Sequence, residues 1–308
     1  MIVQSPRLGD PTVEGPAGLW EVALASLRFG AGRLFRQVLS GNNSGLQSPA
    51  LLNSSLPRVI NESDADVVHL HWVGGEMLSV SDIRKIRKPL VWTIHDMWVF
   101  CGAEHYTSEE RWRGGYSRAN RPSFEPGFDL NKWTWRRKRR LWKKRIHIVA
   151  PSKWLAELAA QSALVRGWPI TQILYPLDLD EWRPVGQAQA REILGLPVGP
   201  PLVLFGADGG SADSRKGFSL FSEAATIADR QFGSFQTVIF GEMRPGVGGL
   251  PVTGAHYLGK VSDNTTLRLI YSACDVFVLP SRLDNLPLTA VEAMACGIPV
   301  VGFDNSGL

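Results

Sequence analysis

From Asp66 onward, short apolar runs alternate with longer amphipathic ones. "DVVHLHW" (66–72) and "PLVWTIH" (89–95) are continuous and β-rich, and the "SVSDIRKIRK" between them (79–88) has a helical period. Unbroken apolar runs mark strands covered on both faces, as in a parallel sheet. "RIHIVAPS" (145–152) continues the series and leads into a helix at "KWLAELAAQSAL", with Ser152 placed to cap it. "ITQILYP" (170–176) predicts a further strand, and the polar, proline-bounded stretch 177–199 reads as a linker. A second series follows, with strands at "PLVLFG" (201–206), "FQTVIFG" (235–241), "AHYLG" (255–259), "DVFVLP" (275–280) and "IPVVGF" (298–303). Helices are expected between most of these, at about 216–230, 263–273 and 287–296. The pattern predicts an α/β protein of two doubly wound, Rossmann-like domains facing a cleft, residues 1–176 and 200–308. Residues 1–60 are poorly patterned, apart from a helix at 18–39 and the Gly, Asn and Ser loop "SGNNSGLQS" after it.

Composition changes this picture little. Of 308 residues, 44% are hydrophobic and 20% charged, which is enough for a sizeable core in each domain. Three cysteines (Cys101, Cys274, Cys296) without metal-ligand spacing suggest a reducing compartment and no disulfide frame. No apolar run approaches the ~20 residues of a membrane span, so a cytoplasmic protein is expected. Charge is unevenly placed: "RRKRRLWKKR" (136–145) holds eight of the 33 Lys and Arg. The run reads first as a solvated helix face. A sharper alternative has Trp135 and Trp142, seven apart, dipping into the inner face of a membrane beside basic residues of 135–145. No nucleic-acid motif accompanies the run, and no nucleic-acid partner is expected.

The chemistry concentrates in "SRLDNLPLTAVEAMACGIPVVGF" (281–303). Pro287 suits the first turn of a helix and Gly297 its end, which puts Asp284 in the loop before the helix and Glu292 inside it. Unpaired amides at the helix start, those of Leu288 and Thr289, would hold an anion such as a diphosphate. Lys216, in "DSRKGF", could neutralise it, and Glu292 could accept from the paired hydroxyls of a ribose. Asp284 follows a strand directly, on the side where doubly wound sheets bind ligands.

These residues carry a resemblance. "DVFVLPSRLDNLPLTAVEAMACGIPVVGF" resembles the nucleotide-sugar site of retaining glycosyltransferases of family 4, which have the GT-B fold. Their signature is two acids separated by seven residues, followed by "EAMA-x-G-x-PVV". "LFGADGGSADSRKGFSLF" is similar to their phosphate-binding loop, and "DVVHLHWVGG" and "PLVWTIHDMWVFCGAEHY" to their first domain. The resemblance runs from about Asp64 to Leu308 and is nearest to bacterial exopolysaccharide enzymes of the colanic acid type. It implies transfer of a sugar, with retention, from a nucleoside diphosphate to a saccharide or polyprenyl-linked saccharide. No metal or other cofactor is implied.

By the same resemblance Glu292 holds the ribose and Asp284 the donor sugar. Lys216 contacts the diphosphate together with the turn Asn285, Leu286, Pro287, Leu288 and Thr289. His95 touches the sugar near the reacting carbon. His105 and Tyr106 lie in an acceptor-side loop. The chain departs from the family in four ways. Asp284 stands where many members have Glu, and Ala207 follows Gly206 where an arginine is usual, with Arg215 the candidate substitute. The family's opening strand and glycine-rich loop are not legible in residues 1–30, and the sequence stops before the family's final strand and helices. A fragment is therefore expected. Two rival readings remain: a non-catalytic nucleotide-sugar or basic-patch binding module, and a GT-B nucleotide-sugar epimerase.

Overall fold

In a computed structural model of the chain, residues 1–3, 12–15, 19–39, 45–125, 127–207, 213–233, 235–241 and 254–308 are described. The start of the expected helix at 18, much of the loop 40–48 and residues 208–212 of the phosphate-loop stretch lie outside them. The chain divides into two compact units, Met1–Ile173 and Leu174–Leu308.

The first unit runs α1 (Leu19–Leu39), α2 (Leu56–Glu62), β1 (Val68–Leu70), α3 (Val80–Lys85), β2 (Leu90–Thr93), α4 (Arg111–Gly114), α5 (Leu130–Leu141), β3 (His147–Ala150), α6 (Lys153–Gln161) and β4 (Ile170–Gln172). Its strands form one parallel sheet in the order β1-β2-β3-β4. Local chemistry sets the helix starts. Ser79 and Asp82 form a reciprocal capping box on α3, and Ser152 accepts from Leu155 N at the start of α6.

The second unit contains α7 (Gln187–Leu194), β5 (Leu202–Ala207), a 3₁₀ turn at Ser214–Lys216, α8 (Phe218–Phe232), β6 (Gln236–Gly241), β7 (Ala255–Gly259), α9 (Asn264–Ala273), β8 (Val276–Leu279), α10 (Leu288–Ala295) and β9 (Val300–Gly302). All five strands are parallel, in the order β7-β6-β5-β8-β9. The winding reverses between β5 and β8, and that switch point is where a doubly wound sheet opens a crevice for ligand.

Three expectations are corrected here. The stretch 177–199 is not a free linker. It contains α7, and Trp182, Ala190 and Leu196 belong to the buried core of the second unit with Tyr271 and Phe277. Arg191 is buried too, on Asp275 at 2.8 Å and the Ala273 carbonyl at 2.8 Å. Lys216 does not open a helix; it ends the 3₁₀ turn, and Gly217 separates it from α8.

The third correction concerns the basic run. Trp135 and Trp142 are 4% and 7% exposed, so neither is available to a membrane. Trp142 donates to the Val80 carbonyl at 2.9 Å, and Trp135 lies against the Tyr116 ring. Nor is the run wholly solvated. Lys138, between them, is fully buried, with its ammonium over the Trp98 ring and donating to the carbonyls of Trp98, Cys101 and Gly102. Burial lowers its pKa to about 7.

Candidate functional site

The loops that follow β5 and β8 meet at the switch point, and the meeting depends on one glycine. Gly217 has φ +74°, and a Cβ there would overlap the carbonyl oxygen of Pro280. Because Gly217 lacks one, the turn 214–216 closes onto the loop after β8, where Arg282 N donates to Arg215 O at 2.8 Å. That contact brings Lys216 Nζ to 2.6 Å from Asp284 Oδ2 and Arg215 to 3.4 Å from Asp284 Oδ1. Asp284 is 6% exposed, and its backbone is fixed by Ser306 and Gly307. Arg215 also donates to the Leu283 carbonyl and Asp213. Asp284, Lys216 and Arg215 thus form one cluster of charged side chains.

The helix beside this cluster is built as its sequence predicts. Pro287 occupies the N-cap, and no side chain caps the first turn, which leaves the amides of Leu288 and Thr289 pointing out of the helix start. At the other end Gly297, φ +85°, donates to Met294 O while Ile298 donates to Ala293 O, a Schellman termination. Asn285 is buried in the turn between Asp284 and the helix, Leu286 is half-buried, and Leu288 is exposed.

Glu292 is half-buried and accepts from the Tyr271 hydroxyl at 2.9 Å. Burial raises its pKa, and the tyrosine bond opposes that rise. Tyr271 has no counterpart among the residues expected from sequence. It lies 21 positions upstream, in a helix whose pattern reads as core, and nothing local marks its hydroxyl as functional.

In the first unit His95 follows β2, with Nε2 3.1 Å from His71 Nδ1. His71 in turn lies against His69, 4.3 Å between ring centres with the planes tilted by 41°. Burial, then the neighbouring histidines, lowers the pKa of His95, and burial with His69 lowers that of His71. Tyr106 donates to the His95 carbonyl at 3.2 Å. His105 is not in an open acceptor-facing position. It is 1% exposed, between Asp96 at 2.6 Å and Ser48 at 2.7 Å. A polar group buried in this way needs such partners, and the role they indicate is structural.

Comparison with known proteins bears on family and fold. A family model described as Glycosyltransferase Family 4 matches residues 20–181, and one described as Glycosyl transferases group 1 matches 201–308. Phosphatidyl-myo-inositol mannosyltransferase of Mycobacterium leprae is 27% identical over 290 residues, 92% of this chain and 67% of that protein. The putative colanic acid biosynthesis glycosyl transferase WcaC of Escherichia coli is 24% identical over 286 residues, 87% of this chain and 65% of that one. Across the curated relatives the matched stretch takes in between 24% and 67% of the relative's own length. The solved structure of Anabaena HepE in complex with UDP-glucose superposes with a TM-score of 0.57 at 16% identity, over 82% of this chain and 63% of that one, a likeness of GT-B fold. With the first family model spanning more than half of its residues, the chain belongs to glycosyltransferase family 4.

Proposed function

We propose that the chain binds a nucleoside-diphosphate sugar and transfers the sugar, with retention of configuration, to a saccharide or lipid-linked saccharide. The observation that carries this reading is the cluster of Lys216, Arg215 and Asp284 beside the uncapped start of α10, at the point where the sheet reverses. Two cations and the amides of Leu288 and Thr289 suit a diphosphate, and Asp284 suits sugar hydroxyls once Lys216 turns to the phosphates. Glu292, oriented by Tyr271, suits a ribose. The UDP-glucose complex of the HepE protein supports a nucleotide-sugar donor, and the M. leprae relative's name supports a lipid-linked acceptor.

In the reaction the bond between the anomeric carbon and the β-phosphate oxygen breaks, and its electron pair leaves on the diphosphate. The acceptor hydroxyl attacks on the same face and gives its proton to the departing phosphate oxygen. Lys216, Arg215 and the helix amides stabilise the negative charge where it develops.

The test is a thermal-shift panel of UDP, GDP, dTDP and ADP on the chain and on Glu292→Ala. A diphosphate at about 100 times its Kd stabilises the native state by about 2.7 kcal/mol. One nucleotide should raise the midpoint of the parent and not of the variant. An equal response in both, or none in a cooperatively folded parent, overturns the reading.

A further inference from the structure

α1 turns one face inward and another to solvent. Ala25 and Gly32 are buried on the inner side, where a Cβ on Gly32 would overlap Glu76 and the Phe29 ring meets Gly75. More than a right angle around the helix run Trp20, Leu24, Leu27, Ala31, Leu34 and Val38, at alternating intervals of four and three residues. That alternation is the heptad spacing, which keeps an apolar seam straight and fits it to a second helix, knob into hole. Ala31 is half-buried, and the other five are between 57% and 84% exposed. Together they leave roughly 700 Å² of mostly apolar surface in water, above the largest patch of an ordinary monomer and near the share of one partner in a stable interface.

A second observation says what covers the seam. Glycine weakens a helix interior, and α1 contains two. Gly32 is explained by its approach to Glu76. Gly30 is not explained by its own fold, because nothing lies within 4 Å of where its Cβ would stand. It flanks the seam at the midpoint.

We propose that α1 pairs with α1 of a second copy of this chain, antiparallel, about a two-fold axis at residues 29–30. In that register Trp20 faces Val38, Leu24 faces Leu34 and Leu27 faces Ala31, each layer occurring twice. Large side chains thus meet small or equal ones. A parallel pair would set Trp20 on Trp20 and Ala31 on Ala31, one layer overfull and another hollow. Ala23, Gly30 and Gln37 line one flank, with Gly30 opposite its own copy, and the missing Cβ lets the two backbones approach. The same patch serves both copies, so the assembly closes as a dimer. A helix lying in a membrane surface carries a polar face rich in Lys and Arg, whereas this flank is small and uncharged. The proposal is independent of the donor-site reading, because its test reads mass and register, not turnover.

The experiment is sedimentation equilibrium of the chain at micromolar concentration, combined with cysteine cross-linking. The expected mass is twice that of the chain. Leu27→Glu with Leu34→Glu should weaken the dimer at least about tenfold, with the far-ultraviolet circular dichroism unchanged. The Gln pair serves if the Glu pair folds poorly. Gly30→Leu, which adds apolar surface, should weaken the dimer as well. Arg28 is half-buried on the other flank and nears its own copy at the axis, so the dimer should tighten as salt rises. The three native cysteines are buried, so a cysteine added singly reports the register. A short bismaleimide should join Gly30→Cys. It should not join Trp20→Cys, which in this arrangement lies ~27 Å from its copy. A monomeric chain, whether or not it floats with phospholipid vesicles, overturns the proposal. So does equal cross-linking at both positions, or a dimer indifferent to the changes at Leu27 and Leu34.

Discussion

Glu292 meets the Tyr271 hydroxyl with one carboxylate oxygen, which leaves Oε1 as the oxygen offered to a ligand. The phenol is a directional donor on a fully buried ring packed beside Trp182, Phe240 and Phe277, so it fixes the carboxylate's rotation. Tyr271→Phe removes one hydrogen bond to a charged group. It should cost about 1–2 kcal/mol of stability by urea denaturation and weaken the best diphosphate about threefold to tenfold in a titration. The acidic pair and its helix were legible in sequence because Pro287, Gly297 and the interval from Asp284 to Glu292 are local chemistry. Tyr271 was not, since a tyrosine in an apolar helix is ordinary core until its hydroxyl is seen to have a partner. His105 was misplaced for a related reason: sequence put it in a loop but could not show that Asp96 and Ser48 enclose it.

Among the elements, Gly217 shows how a loop motif acquires a geometric reason. Its positive φ and its contact with Pro280 allow the turn after β5 to reach the loop after β8. Gly217→Ala should lose at least about 1–2 kcal/mol from the left-handed backbone alone, and more from the clash. It should also abolish the nucleotide-induced thermal shift while the far-ultraviolet circular dichroism below the transition stays as in the parent. The strands were readable because both faces are covered and their apolar runs are continuous. Helix faces were harder. Trp135 and Trp142 share a face of one helical path, but seven-residue spacing does not say whether that face turns inward. The buried Lys138 between them disguised a core surface as a charged one. The polar composition of 177–199 hid α7 in the same way, with Trp182 and Ala190 as its few core anchors.

For the molecule as a whole, two sheets with separate cores make separate responses to pH possible. His71 and His95 resist protonation when folded, whereas in the unfolded chain they take a proton near the ordinary 6.5. Their folded pKa values are depressed, so the unfolded state binds more protons as pH falls below about 6.5, and the first unit loses stability there. Unfolding midpoints measured from pH 7.5 to 5.5 should show this fall in the parent. His71→Gln should show a shallower one, because it removes one titrating group and relieves its neighbour. Equal slopes would mean that the histidines are not the cause. The ion pair between Lys216 and Asp284 has a different kind of consequence. On the proposed function, a spent nucleoside diphosphate that has lost its sugar would still occupy Lys216, and it would leave Asp284 with neither sugar hydroxyl nor ammonium. The carboxylate would then compete for its old partner. On that reading the contact between Lys216 and Asp284, which a donor would have to open, would hasten the exit of what remains after transfer.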